Sequence, residues 1–427
     1  MYNSGFSVEK LQIFIVLYNI CKQFFTPSPA MKYFDTIVVG KGLIGSSAAK
    51  YLCQSKENVA LIGPDEPANG YNATVYASHY DQARIQRVIG KDNIWTSLNL
   101  HSALRYNELE EESGIRFHSG VGCLYVNPHG TDDYLEQAPA QAKLFSLQLE
   151  HFNDGNGINK RFPDFNFPGI SKGIFESAPA GFINPRLLIQ AQLKIFEKNN
   201  GTVFNDVVTM ISHKNNDYEV TCHTGEYYYA KNVLLCPGAF INFFNLIENK
   251  LAVTLKSEST IWTKVDEEEA RRLSALPSLI YEMNSSQISN IYLIQPVLYP
   301  DGNYYLKMGA NLPQDVYFEN ISDVNEWFVN GKSDLNLPAL KKALETIIPG
   351  LNVKQILTKR CIVSFTAHRK PYVGKMDDNR LFVACGGNGY SAMCSDALGN
   401  LASQLVTTDM SPRGYSFESF KPVFVNE

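Results

Sequence analysis

The chain has 427 residues, of which 44% are hydrophobic, 12% aromatic and 19% charged, with a net charge of -5. Such a length fits two compact domains or one interleaved pair, and such a composition excludes a disordered or fibrous chain. The mild charge, with no basic tract, excludes a nucleic-acid backbone or an anionic membrane surface as the main partner and leaves small molecules.

In chain order, Leu11 to Tyr18 is strongly apolar but only eight residues long and is followed by Lys22, too short to span a bilayer. A signal peptide could use Lys10 before this run and Ser28-Pro29-Ala30 after it, although the cleavage pattern is poor. Residues 1–30 are therefore expected to be an extension outside the fold, with Met31 resembling a second start. The expected location is cytoplasmic, with a signal in that extension as the alternative.

Tyr33 to Val39 is a β-branched run ending in glycine, Ser46 to Cys53 reads as a helix, and Val59 to Ile62 as a second strand, which makes a βαβ opening. Ile94 to Glu112 has helical spacing, Gly122 to Asn127 reads as a strand, and Asn184-Pro185 announces a helix ending at Gly201. Hairpin-like stretches follow at Val203 to Ile211 and Tyr218 to Thr221, then a strand at Asn232 to Cys236. Leu251 to Val265 and Ile291 to Met308 alternate apolar and polar residues, as an antiparallel sheet with one covered face requires. Leu381 to Ala384 returns to a short buried strand, and Ser395 to Leu405 to a helix.

Gly40-Lys41-Gly42-Leu43-Ile44-Gly45 lies between the first strand and helix, the setting a dinucleotide-binding turn requires. Its glycines allow a tight turn, backbone approach to a pyrophosphate, and close packing of helix on strand. The ribose-binding acid expected about twenty residues later falls on Gly63, so Asp65 or Glu66 is expected to replace it. A missing acid could also indicate NADP, but no arginine ends that strand, and FAD is preferred.

Arg84 and Arg87 are read as sharing a face on a helical turn, where they repel by roughly 0.2 to 0.5 kcal/mol. They are either a solvated pair eased by Asp81 or a site for an anion or an electron-rich ring. Lys307 shares a strand face with Tyr305 and Gly309 and is exposed or functional. Cys361 follows Lys359 and Arg360, cations that favour a reactive thiolate, though a cysteine in a strand is more often an inert core residue. Gly386-Gly387-Asn388-Gly389, between a strand and a helix, is a second place where backbone N–H groups could face a ligand oxygen, or only a turn. The cysteines at 21, 53, 123, 222, 236, 361, 385 and 394 show no CxxC, and the histidines no HxH or HExxH, so neither a disulfide framework nor a metal site is expected.

Taken in order, these segments resemble the monomeric sarcosine oxidase and N-methyltryptophan oxidase family of the D-amino-acid-oxidase superfamily. The resemblance runs through the glycine turn, Ser78-His79-Tyr80-Asp81-Gln82-Ala83-Arg84-Ile85-Gln86-Arg87, Gly181-Phe182-Ile183-Asn184-Pro185, Cys236-Pro237-Gly238-Ala239-Phe240, Leu306 to Gly309, and Cys361 before the C-terminal glycines. It covers about residues 31 to 420, and its specificity lies in the combination. It implies an α/β (α+β) architecture, a Rossmann-like FAD-binding domain with a second, mainly antiparallel-sheet substrate domain. The FAD-binding domain is expected from 31–95, 185–250 and 357–427, and the substrate domain from 96–184 and 251–356.

The resemblance further implies a hydride equivalent passed from the carbon beside the amine nitrogen to FAD, an imine that water hydrolyses, and O2 as the electron acceptor, giving H2O2. It places Gly40, Gly42, Leu43, Ile44, Gly45, Ser78, Gly386, Gly387 and Gly389 around FAD and attaches FAD covalently through Cys361. Lys307 and Arg84 match catalytic positions, the lysine being associated with oxygen activation, and Arg87 matches an arginine that pairs with the substrate carboxylate. His79, Asn311 and Tyr390 complete the implied substrate site. The chain departs from the family where Met393 replaces a carboxylate-binding lysine, Val363 a tyrosine and Asn311 a histidine. Losing one cation of a clamp removes roughly 1.5 to 3 kcal/mol, which disfavours sarcosine and favours a larger or less acidic amine. A dehydrogenase with another acceptor and a catalytically silent flavin-binding subunit are the alternatives, in a monomer or small homo-oligomer.

Overall fold

The computed structural model describes residues 32–55, 57–67, 73, 75–376 and 380–425, and the extension expected at 1–30 lies outside them. Its first sheet grows from the opening βαβ unit. The β-branched run Tyr33–Val39 pairs in parallel with Val59–Ile62 on one side and with Tyr227–Leu235 on the other. Thr202–Phe204 and Leu381–Cys385 extend this parallel core at its two ends. Val208–Lys214, Asp217–Cys222 and Tyr372–Lys375 are added antiparallel, giving eight strands.

Helices Leu43–Gln54, Pro185–Lys198 and Ser395–Thr408 cover one face, burying Ala48, Leu52, Leu398 and Leu401 against Val38, Leu61, Leu234 and Ala384. The Asn184 carboxamide caps its helix by accepting from Leu187 N at 3.1 Å, with Pro185 at the first helical position, where its missing N–H has no partner to lose. Helix Asn93–Ser113, assigned from sequence to the substrate side from residue 96 onward, packs Trp95 and Leu98 into this same core.

The second sheet has nine strands and is antiparallel except where Ser278–Tyr281 runs parallel to Cys123–Asn127. Its centre is Val253–Val265, flanked by Tyr304–Asn311 and by Gln355–Thr366. The last of these was expected to begin the third part of the FAD-binding domain, but it pairs with Val253–Val265 over its whole length. The stretch 291–308 is two strands, Asn290–Leu298 and Tyr304–Asn311, joined by a turn at Asp301 and Gly302. Helix Leu337–Ile347 buries Leu340, Leu344 and Ile347 beneath the sheet against Ile261, Leu293, Leu306 and Met308. No helix among the described residues is long and apolar enough to cross a membrane.

Candidate functional site

A cavity of about 900 Å³ lies between the two sheets and is walled by both. At one end stands the glycine turn. Gly40 has φ +105°, and a Cβ there would sit 2.3 Å from the Cys236 carbonyl oxygen. A Cβ on Gly45 would sit 1.9 Å from the Gly40 carbonyl oxygen, so these two glycines let the helix close on the strand. Gly42 precedes the helix, and a Cβ on it would meet nothing within 4 Å. That open space beside a helix N-terminus lies within the cavity wall formed by Gly40, Gly42, Leu43 and Ile44, where a phosphate can approach backbone donors.

Gly63 sits where the ribose-binding acid was expected, and a Cβ there would lie 2.4 Å from Lys41 N. Neither proposed replacement is among the cavity-lining residues. Asp65 pairs with Lys41 and accepts from Asn205 Nδ2 at 2.6 Å, while Glu66 holds Arg186 through two bonds of 2.5 and 2.7 Å.

Arg84 and Arg87 do not share a helical turn. Arg84–Gln86 is a short strand paired with Gly181–Ile183 and Arg87 follows it, so the shared helical face does not exist. Arg84 donates to the Asp81 carboxylate and to the Ser78 carbonyl. The same carboxylate accepts from Lys307 Nζ and, at 2.8 Å, from the Tyr299 hydroxyl. Two cations hold the 4% exposed Asp81 carboxyl well below the usual carboxylate range despite its burial. Lys307 shares its partner with Arg84, and burial together with that guanidinium pushes its ammonium down. Its Nζ also reaches the Ala83 carbonyl at 3.1 Å and lies behind the cavity wall, whereas Arg84 lines it. His79 lines the wall as well, and burial with the cations Arg186, Arg84 and Lys41 pushes it down to about 3, so it is neutral.

Cys361 lies on the strand Gln355–Thr366, in register with Glu258 on the neighbouring strand, and both line the cavity. Burial pushes its thiol up, Arg84 pulls it down and Glu258 pushes it up. The sequence neighbours expected to acidify it are engaged elsewhere. Lys359 lies 5.0 Å from the centre of the Trp262 ring, and Arg360 donates to the carbonyls of Gly331 and Phe328. Glu258 accepts from the Tyr292 hydroxyl at 2.6 Å, and the ring of Tyr292 covers the space a side chain at Gly309 would need. Glu258 and Tyr292 carry no sequence motif, and for Asp81 the spacing offers Arg84 but not Lys307 and Tyr299, which distant strands bring.

The other end of the cavity is built around Arg87, whose guanidinium lies 4.6 Å from the Tyr134 ring and 5.6 Å from that of Tyr390. Arg87 is 7% exposed, and its Nε has no hydrogen-bond partner among the described residues. Met393 and Val363 line this cavity, as does Asn311, which donates to Asn290 at 2.7 Å and accepts from Lys256 at 2.9 Å. Gly386, Gly387 and Gly389 line it through a turn in which Gly386 and Gly389 have φ +80° and +76°. Helix Ser395–Thr408 begins only after this turn, and its first-turn Asp396 is buried against Lys50 at 2.6 Å. Ser78 also lines the cavity. All the sequence-predicted site residues except Lys307 and Gly45 thus line one cavity. Among the described residues no group of histidines, cysteines and carboxylates could hold a metal ion.

Residues 35–405 match the model of the FAD dependent oxidoreductase family. The chain belongs to that family. It is 28% identical over 215 residues to N-methyl-L-tryptophan oxidase of Escherichia coli K12, an alignment covering 49% of this chain and 55% of that protein. The chain thus spans about half the length of the curated relatives it matches. The fold resembles NikD, described as an unusual amino acid oxidase essential for nikkomycin biosynthesis, with a TM-score of 0.71 at 16% identity over 92% of this chain and 98% of that one. It also resembles glycine oxidase from Geobacillus kaustophilus, with a TM-score of 0.69 at 17% identity over 91% and 98%. The family's cofactor, FAD, fits the residues present, since the open approach at Gly42 suits a pyrophosphate and the cavity continues from there to Cys361 and Arg87.

Proposed function

We propose that this chain oxidises the C–N bond of a secondary amine or amino acid bulkier than sarcosine, with O2 as electron acceptor. The observation that carries this reading is Arg87, a buried guanidinium with an unpartnered Nε between two tyrosine rings in the cavity that suits FAD. A guanidinium fixes the position and plane of a carboxylate, and aromatic walls exclude the water that would compete for it. Bound FAD supplies the acceptor for a hydride equivalent. The glycine turns at 40–45 and 386–389, with Ser78, hold the cofactor, and Cys361 is its covalent attachment point. Arg84, aimed by Asp81, supplies positive potential at the cavity wall, with Lys307 behind it as the group that favours reaction with oxygen. Tyr390, Asn311 and neutral His79 line the cavity, and with Met393 in place of a clamp lysine the carboxylate is left to Arg87, with Lys91 5.6 Å from the Tyr390 ring beside it.

The test is anaerobic mixing with a panel of N-substituted amino acids, N-methyl-L-tryptophan among them, followed by admission of air. Flavin absorbance should bleach with bulky carboxylated amines, respond poorly to sarcosine, and return in well under a second in air. Arg87→Met should raise KM about ten- to a hundredfold for a carboxylated substrate and leave its decarboxylated analogue unaffected. Silence across the panel would favour a flavin-binding subunit without catalysis, and slow return in air a dehydrogenase. Acid denaturation should leave the yellow colour on the peptide containing Cys361; colour that washes away would remove the covalent assignment alone.

A further inference from the structure

The adenosine end of the cavity lacks the carboxylate that dinucleotide-binding turns commonly direct at a ribose hydroxyl. The reason is visible in the backbone. A Cβ on Gly63 would lie 2.4 Å from Lys41 N and 2.6 Å from Lys41 Cβ, so the backbone path at residue 41 leaves no room for an acidic side chain at 63. The Lys41 side chain is 8% exposed, lines the cavity together with Gly63, and is tethered to Asp65, which Asn205 holds in turn by bonds of 2.7 and 2.6 Å. An ammonium carries three donors, of which Asp65 takes one. Among the described residues no other group takes the remaining two, which leaves them to a ligand at the cavity wall. An anchored lysine is costly to bury unless something at the wall uses it, and a diol offers lone pairs as readily as it offers protons.

We propose that Lys41, positioned by Asp65, binds the adenosine ribose of FAD, so that a donor takes the place of the customary acceptor. This rests on the assignment of the cavity to FAD. The test is titration of apoprotein by flavin fluorescence, in a Cys361→Ser background so that covalent capture does not mask affinity. FMN, which lacks the adenosine, serves as the second ligand. Lys41→Met should weaken FAD by roughly ten- to a hundredfold, the value of a charge-assisted hydrogen bond, and leave FMN unchanged. Lys41→Arg, which keeps a cationic donor, should recover most of the loss, and Asp65→Asn should fall between. Unchanged FMN affinity also reports that the variants fold. FAD affinity within about twofold of the parent in Lys41→Met, an equal loss for FMN, or an arginine no better than methionine would overturn the proposal. A parent protein that binds no FAD would instead overturn the cofactor assignment itself.

Discussion

Two cations and a tyrosine converge on Asp81, and among the described residues Lys307, 1% exposed, has no other carboxylate bonded to it. Asp81→Asn leaves that ammonium opposite a neutral amide. Breaking a buried pair from one side costs about 3 to 5 kcal/mol, because the remaining charge stays desolvated. Urea midpoints should show a loss of this order, and Asp81→Asn with Lys307→Met should recover part of it; an unchanged midpoint in the single variant would mean water reaches the pair. The depressed Asp81 carboxyl gives stability that is full above the ordinary carboxylate range and lost as pH falls through its folded value. His79 contributes to acid sensitivity over a different window. Below its ordinary value of 6.5 the unfolded chain takes up a proton that the folded one refuses down to about 3, so stability falls as pH falls through that interval. His79→Gln cannot take up that proton. Between pH 7 and pH 4 its urea midpoint should therefore drop less than the parent's, and an equal drop would place the histidine in water.

At the scale of elements, Val59–Ile62 and the helix after Asn184 were legible because their signals are local, a buried apolar run and a cap with proline behind it. The strand Arg84–Gln86 was not. Its three residues are extended because Gly181–Ile183, almost a hundred positions later, supplies the hydrogen bonds, and spacing alone suggested a helical turn. Residues from 357 onward were assigned to the FAD-binding domain without a strand at Gln355–Thr366, whose pairing with Val253–Val265 in the second sheet leaves no mark in either sequence. Among the glycines, both the turn and the division of labour were legible, because the motif's spacing assigns each position its job, and the space around each agrees. Gly45→Ala would drive a methyl into the Gly40 carbonyl, and overpacking of this kind costs about 1 to 3 kcal/mol or more, so the apoprotein should melt at a lower temperature. Gly42→Ala meets no atom of the described residues within 4 Å, at φ -82° where alanine is unstrained. Its apoprotein should melt with the parent, yet bind FAD more weakly because the methyl stands where the pyrophosphate approaches. A reversed pattern, with Gly42→Ala unstable and Gly45→Ala silent, would show that the helix does not close on the strand as described.

At the scale of the molecule, the cavity takes one wall from each sheet, with the glycine turn and the turn at 386–389 on the first and Glu258, Tyr292 and Cys361 on the second. Sequence order could name most of these residues, but not that Lys307 stands behind the wall while Glu258 forms part of it, because depth from a cavity is set by both sheets together. A ligand held by both walls stabilises the contact between them, whereas one held by the first sheet alone stabilises only that half. A ligand that binds only the folded state contributes RT ln(1 + [L]/Kd), about 2.7 kcal/mol at a hundredfold excess over Kd. Calorimetry of apoprotein with increasing FAD should therefore show the unfolding of both halves moving upward together. If apoprotein melts in two steps, both should shift and merge, since the second sheet loses its contribution to the cofactor site when it unfolds. With Cys361 intact the shift should survive dialysis, and in Cys361→Ser it should fade as FAD is removed. Movement of one step alone would confine the cofactor to the first sheet and leave Cys361 without a flavin to meet.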